Sequence, residues 1–342
     1  MIARCCLLLV VMLPVCSGAA LHKYHLTIDP GLSEVRVEAQ LGSGKWLRAR
    51  NGRAASVQDP MSCEAQRLPT RDERIMLPPG VDCVRYGHPL REGRRDGRSP
   101  EVAPGTVVAS PGQWLWLPPL AAQDRVRITF ALPPDTVASV PWVQAADGSY
   151  ELGASPRSSH AVAVFGKFRS HALAIPGASL RVALVDGPRD ALSSPENERK
   201  LLAWLEAAAR DVAGVSGEFP NPAPQVIVQP GPGAGWGGSR SPVPFGYVIR
   251  DGGETVRFFV DRHQALDEFL ADWTATHEFS HLLLPYVRSE EKWISEGFAS
   301  YYQNVLLARR GVYSERQAWQ RLIRSFRRAA DIADPPALRD ID

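Results

Sequence analysis

The sequence predicts an α+β protein in two parts, a β-sandwich-like N-terminal domain over residues 21–175 and an α/β domain over residues 176–342. Three observations carry this. Short alternating apolar runs broken by Pro and Gly fill the first half, which is strand and turn texture. From Ala178 the pattern becomes strand, helix, strand, the unit of a layered α/β structure. Finally, T-H-E-F-S-H-L-L-L-P-Y-V-R-S-E-E-K-W-I-S-E-G-F-A-S-Y-Y-Q, from Thr276 to Gln303, reads as two helices folded back on each other about Pro285.

The chain opens with a positive Arg4, an apolar run and small residues, so residues 1–20 are expected to be a secretory signal peptide cleaved near Ala19 or Ala20. Lipidation at Cys16 is the weaker alternative, because Pro14 and Val15 stand where small residues are wanted. Removing this segment takes away Cys5, Cys6 and Cys16, leaving Cys63 and Cys83 as an expected disulfide in an exported, periplasmic or secreted protein. No transmembrane span is expected after that removal. A hydrophobic content of 44% and a charged content of 22% are those of an ordinary globular chain. The net charge of +2, with its basic residues dispersed, points to no nucleic-acid partner.

Strands are expected over Tyr24–Ile28, Glu34–Glu38, Thr106–Val108, Trp114–Leu117, Arg125–Phe130 and Ala161–Val164. Trp114 and Trp116 would share one face of their strand and belong to the core. In the second half Leu180–Val185 is a strand. Ser194, Pro195 and Glu196 supply a cap, a first-turn proline and an early acid for a helix to about Val215, whose stripe is Leu201, Leu202, Leu205, Ala208 and Val212. Gln225–Val228 is a further strand. The glycine run that follows lacks the Lys-Ser/Thr of a phosphate loop. It reads either as a connecting loop or as the rim of a cleft formed by Trp236, Gly237, Gly238 and Tyr247.

Phe245–Arg250 and Thr255–Val260 around D-G-G-E form a hairpin, whose edge strand could accept an extended peptide through main-chain hydrogen bonds. Asp261 with Gln264 resembles a capping box for a helix from Arg262 to Leu284. After Gly311, Ser314 and Gln317 open a last helix with an apolar stripe of Trp319, Leu322, Ile323 and Phe326.

His277 and His281 stand one turn apart on one helix face, so both imidazoles can reach a single cation. Glu278 points about 100° away, too far to be a ligand but suited to hold a water as general base. A catalytic zinc takes three protein ligands and keeps a fourth position open. Glu296 is the expected third ligand: Pro285 stops the first helix, Ser289 can cap the second, and the short turn makes the two antiparallel with Glu296 level with the histidines. Ser300, one turn after Glu296, is the expected hydrogen-bond partner of a ligand histidine.

H-E-F-S-H followed by W-I-S-E-G-F-A-S-Y-Y-Q resembles the gluzincin metallopeptidases, most closely the M61 glycyl aminopeptidases and more distantly the M1 aminopeptidases. The resemblance implies a thermolysin-like (gluzincin) α/β catalytic domain lacking part of the helical continuation of those families. It also implies one Zn2+ on His277, His281 and Glu296, Glu278 as catalytic base, and a peptide or protein substrate. The glycine run from Gly233, which carries no acid, leaves a second reading open: a gluzincin-fold peptide-binding or scaffold protein with little or no turnover.

Overall fold

The structure, a computed structural model, describes residues 19–49, 57–90, 102–152, 161–189, 191–231, 241–250 and 252–330. Residues 1–18 of the expected signal peptide, and Trp236, Gly237 and Gly238, lie outside the described residues. The first half contains β1 (Leu21–Ile28), β2 (Glu34–Gln40), β3 (Trp46–Arg48), β4 (Gln58–Ser62), β5 (Thr70–Arg71), β6 (Arg74–Met76), β7 (Cys83–Pro89) and β8 (Thr106–Ala109). There follow a short helix α1 (Pro111–Trp114), β9 (Arg125–Ala131), β10 (Val137–Ser139), β11 (Val143–Gln144), β12 (Tyr150–Leu152) and β13 (Ala163–Gly166). Seven of these strands make one sheet in the order β11-β12-β9-β1-β2-β7-β4, with smaller sheets β10-β13-β8 and β3-β6-β5 beside it.

Strict alternation in β1 and β2 sends Tyr24, Leu26, Ile28, Val35, Val37 and Ala39 inward and Lys23, His25, Arg36 and Glu38 outward. The expected strand over Trp114–Leu117 is a correction. Trp114 ends a helical turn begun at Pro111, Leu115 is extended and Leu117 alone pairs, antiparallel with Arg48, while both tryptophans are buried as expected. Two buried phenols hold this segment: the Tyr24 hydroxyl donates to Trp116 O at 2.9 Å and that of Tyr86 to Trp114 O at 3.0 Å. Cys63 and Cys83 are bonded as a disulfide between the end of β4 and the start of β7.

The second half comprises β14 (Arg169–Ile175), β15 (Ala178–Leu184), α2 (Pro195–Ala213), β16 (Gln225–Pro230), β17 (Phe245–Arg250), β18 (Glu254–Val260), α3 (Leu266–Ala271) and α4 (Thr274–His281). A 3-10 turn over Ser289–Glu291 then leads into α5 (Lys292–Arg309), followed by α6 (Glu315–Ala330). Its sheet runs β14-β15-β16-β18-β17. The three inner strands are parallel and the two edges antiparallel. Every residue of β16 is buried, as expected of a strand covered on both faces.

On one face Val182, Leu184, Val226, Val228 and Phe258 pack against Leu201, Trp204, Leu205, Phe269 and Phe279 of the helices. On the other, Ala183, Val185 and Ile227 meet Val162 and Val164 of the β-rich half. Ser194 caps α2 as the sequence indicates, accepting from Asn197 N at 3.2 Å. The β17–β18 turn is pressed against the β-rich half: a Cβ on Gly253 would lie 2.0 Å from Pro141 O, and one on Gly252, at φ +70°, 1.8 Å from Leu152. Only glycine fits there.

The single helix expected over Arg262–Leu284 is a second correction. It is interrupted at Asp272 and Trp273. The buried Asp272 carboxylate accepts from Thr274 N at 2.8 Å and from the Ser241 hydroxyl at 2.5 Å, so a short acidic side chain competes with the helical backbone and restarts it as α4. Asp261 and Gln264 bond to each other in the preceding loop rather than capping a helix. Ser289 likewise begins the 3-10 turn, and α5 starts after Glu291 without a side-chain cap. Among the described residues no helix is long and apolar enough to cross a membrane.

Replacing Cys63 and Cys83 by serine opens a loop of about twenty residues and should cost roughly 3 kcal/mol of stability. Thermal denaturation with and without reductant checks this: the substitution and the reductant should lower the midpoint alike.

Candidate metal centre

The motif helix is short, and how it ends matters. Beyond His281, Leu282, Leu283 and Leu284 donate to the third residue back, tightening the last turn before Pro285 turns the chain. The Arg250 guanidinium, at the end of β17, caps this end by donating to His281 O at 2.6 Å and Leu284 O at 2.8 Å. The cross-contacts make α4 and α5 antiparallel: His281 meets Ser295 and Glu296, while His277, a turn earlier, meets Glu296 and Gln303.

The three expected ligand side chains converge. Their donor atoms lie within 4.8 Å of one another. Glu296 Oε2 is 3.3 Å from His277 Nε2 and 3.7 Å from His281 Nε2, and the two imidazoles stand edge to face with centroids 4.9 Å apart. The far side of each ring is occupied, His277 Nδ1 by Gln303 Oε1 at 3.0 Å and His281 Nδ1 by Ser295 Oγ at 2.8 Å. With Nδ1 of each ring held from behind, both Nε2 atoms face the Glu296 carboxylate across a shared point, the donor arrangement that a divalent cation accepts. Zn–N bonds of about 2.0–2.1 Å at tetrahedral angles place donors about 3.3 Å apart, so the observed separations fit such an ion.

Protonation states agree with that arrangement. Burial, opposed by Glu296, holds His277 below the ordinary histidine range. Burial and the neighbouring His277 push His281 down to about 4. Burial, then the charge of Glu296, drives Glu278 up to about 8. For Glu296 burial acts upward, but His281, His277 and Lys292 outweigh it and leave the carboxyl lower than usual. Neutral imidazoles and an ionised carboxylate are the ligand forms that bind metal. Glu278 lies beside the convergence point, with its Oε2 4.0 Å from His281 Nε2.

Several residues escaped the sequence reading. The expected partner of a ligand histidine was Ser300, yet the structure gives that place to Gln303 and Ser295, while Ser300 O accepts from Asn304. Helical side chains lean toward the N-terminus, so the long side chain of Gln303 covers the level of His277, where a serine one turn earlier is too short. Gly246 in β17 is a second. A Cβ there would lie 2.9 Å from Glu278 Cγ and 3.0 Å from Phe258 and Thr274, so the edge strand runs against the base. A glycine inside a strand was the available signal. Alternation then puts Tyr247, expected at the rim of a cleft, on the sheet face opposite Glu278, where its hydroxyl accepts from Arg257. Trp273, 44% exposed, stands edge-on to His277 at 5.4 Å.

Residues 285–334, from Pro285 through α6, match the M61 glycyl aminopeptidase family. Among solved structures, an aminopeptidase N family protein from Idiomarina loihiensis is similar at 14% identity with a TM-score of 0.58, over 87% of this chain and 56% of that one. An M1 zinc metallopeptidase from Deinococcus radiodurans is similar at 14% identity with a TM-score of 0.48, over 93% of this chain and 77% of that one. No curated protein sequence matches. The first likeness shows a shared fold, of which this chain spans little more than half the length. The resemblance to the M61 glycyl aminopeptidases therefore has a family match, and it falls on the helix that carries Glu296.

Two outcomes are expected. Gln303→Ala should weaken divalent-metal affinity by about 10- to 100-fold while leaving the fold intact, read by competition with a chromogenic chelator. In metal-free protein the raised Glu278 value disfavours folding as pH climbs from its unfolded value toward 8, whereas the lowered His281 value favours folding only up to about 6.5. Stability should thus fall between about pH 6.5 and 8, and Glu278→Gln should flatten that slope in chemical-denaturation titrations.

Proposed function

We propose that this chain is a zinc metallopeptidase that hydrolyses peptide bonds, with one Zn2+ held by His277, His281 and Glu296 and with Glu278 as general base. One observation carries the reading: donors from two antiparallel helices meet at a point beside a buried carboxyl group of raised proton affinity, against the open edge of a sheet. When bound there, the metal supplies Lewis acidity and a water whose pKa falls toward 7.

The protein groups divide the remaining work. Glu278 takes the proton of the attacking water and delivers it to the leaving amine, a task its place beside the convergence point suits. Gln303 and Ser295 hold the imidazoles in the tautomer and orientation that keep Nε2 inward. Among the described residues β17 pairs on one side only, and its backbone at Gly246 adjoins Glu278, so a peptide added as a further strand would present its main chain to the base. Main-chain recognition accepts varied sequences, which favours a peptide substrate over a small molecule. The N-terminal apolar run and the Cys63–Cys83 bond support export to an oxidising compartment.

A peptide-library digest of the purified chain, with products sequenced, tests this. Glu278→Gln should lower cleavage by at least about a hundredfold while zinc content stays at one equivalent. Zinc-loaded protein that cleaves nothing, with or without the substitution, would sink the hydrolase reading in favour of a peptide-binding scaffold.

A further inference from the structure

On the sheet face opposite Glu278 a buried charge has no counter-ion among the described residues. Arg257, in β18, is 5% exposed. Its Nε and Nη2 both donate to Gln229 Oε1, the former at 3.0 Å, its Nη1 donates to the Tyr247 hydroxyl at 2.9 Å, and the guanidinium lies 4.9 Å over the Phe259 ring. No carboxylate of the described residues lies within ion-pair range of it. Beside it Gln229, fully buried, has an amide nitrogen with no partner.

Burying a cation is costly unless it is paired, and an unmade buried amide donor adds to that cost. Of the five guanidinium N–H groups three are used, which leaves one on each terminal nitrogen. Two guanidinium donors and an adjacent amide N–H are a receptor for one carboxylate. The position is informative too. Arg257 is the register partner of Tyr247, while the neighbouring pair is Gly246 with Phe258, whose glycine abuts Glu278. A peptide lying along the free side of β17 sends alternate side chains to the two faces. The one next to the residue at Glu278 therefore points to the Arg257 face.

We propose that Arg257, Gln229 and Tyr247 form a carboxylate-binding subsite that selects peptides bearing a negative group on the Tyr247 side of the β17 edge. The inference rests on the peptide-binding reading given above. The carboxylate is either an acidic side chain or a chain terminus.

The test measures binding, not turnover, on zinc-loaded Glu278→Gln protein, using alanine hexapeptides with a single Glu or Gln at each position, each with a free or an amidated C-terminus. Expected is a roughly tenfold preference for Glu over Gln at one position, or for the free over the amidated terminus, which tells the two sources apart. Arg257→Gln should erase that preference and leave neutral peptides unaffected. Because that substitution alters a buried group, Gln229→Glu gives an independent check: it supplies an internal counter-ion, so it should abolish the preference while raising the melting temperature. A preference that survives both substitutions, or peptides that bind with no preference anywhere, overturns the subsite but leaves the peptidase reading standing. Binding of no peptide at all overturns both.

Discussion

The antiparallel pairing of α4 and α5 is the constraint on which the site depends. Pro285 and the tightened turn before it reverse the chain within a few residues, so the reversal sets which level of α5 faces which level of α4. His281 then meets Ser295 and Glu296, and His277 meets Glu296 and Gln303. A shift of one turn, about 5.4 Å, would carry the carboxylate beyond any shared cation. Arg250 makes this alignment a property of the sheet as well, because the guanidinium at the end of β17 binds the carbonyls with which the α4 segment ends.

The sheet in turn is located from outside. Its helical face holds α2 and α4 through a continuous apolar core, and its other face rests on Val162 and Val164. The β17–β18 turn, with glycines at 252 and 253 pressed on Pro141 and Leu152, ties the edge strand to the β-rich half. That half contributes no side chain to the convergence of histidines and carboxylates. It contributes position: β17 pairs on one side only among the described residues and stays against Glu278 at Gly246. The two faces of the strand then differ, with the Glu278 carboxyl beneath Gly246 and a buried arginine beside Tyr247.

Electrostatics favour the same arrangement. Burial works against charge on both imidazoles and on Glu278, whereas Glu296, partly exposed and 3.4 Å from Lys292 Nζ, keeps its negative charge. One anion facing two neutral nitrogen donors is a metal-accepting set, and it follows from where each group sits relative to solvent.

Much of this was legible in the chain. The alternation of β1 and β2, the Ser194 cap, the β17–β18 hairpin, the pairing of Cys63 with Cys83 and the spacing of His277, Glu278, His281 and Glu296 are local or periodic features, and periodicity converts directly into shared faces. What failed locally had a competing local interaction: Asp272 restarted a helix expected to be continuous, and a helical turn from Pro111 took up Trp114 and shortened an expected strand to a bridge at Leu117. Residue types and spacing by themselves determined which side chains could share a cation. Only the tertiary structure decided that Gln303 rather than Ser300 reaches His277, that Tyr247 lies on the far face from the base, and that Arg257 is buried without a carboxylate. Those outcomes depend on how far each element is rotated about its axis when it packs, and packing against distant residues sets that rotation where sequence spacing does not.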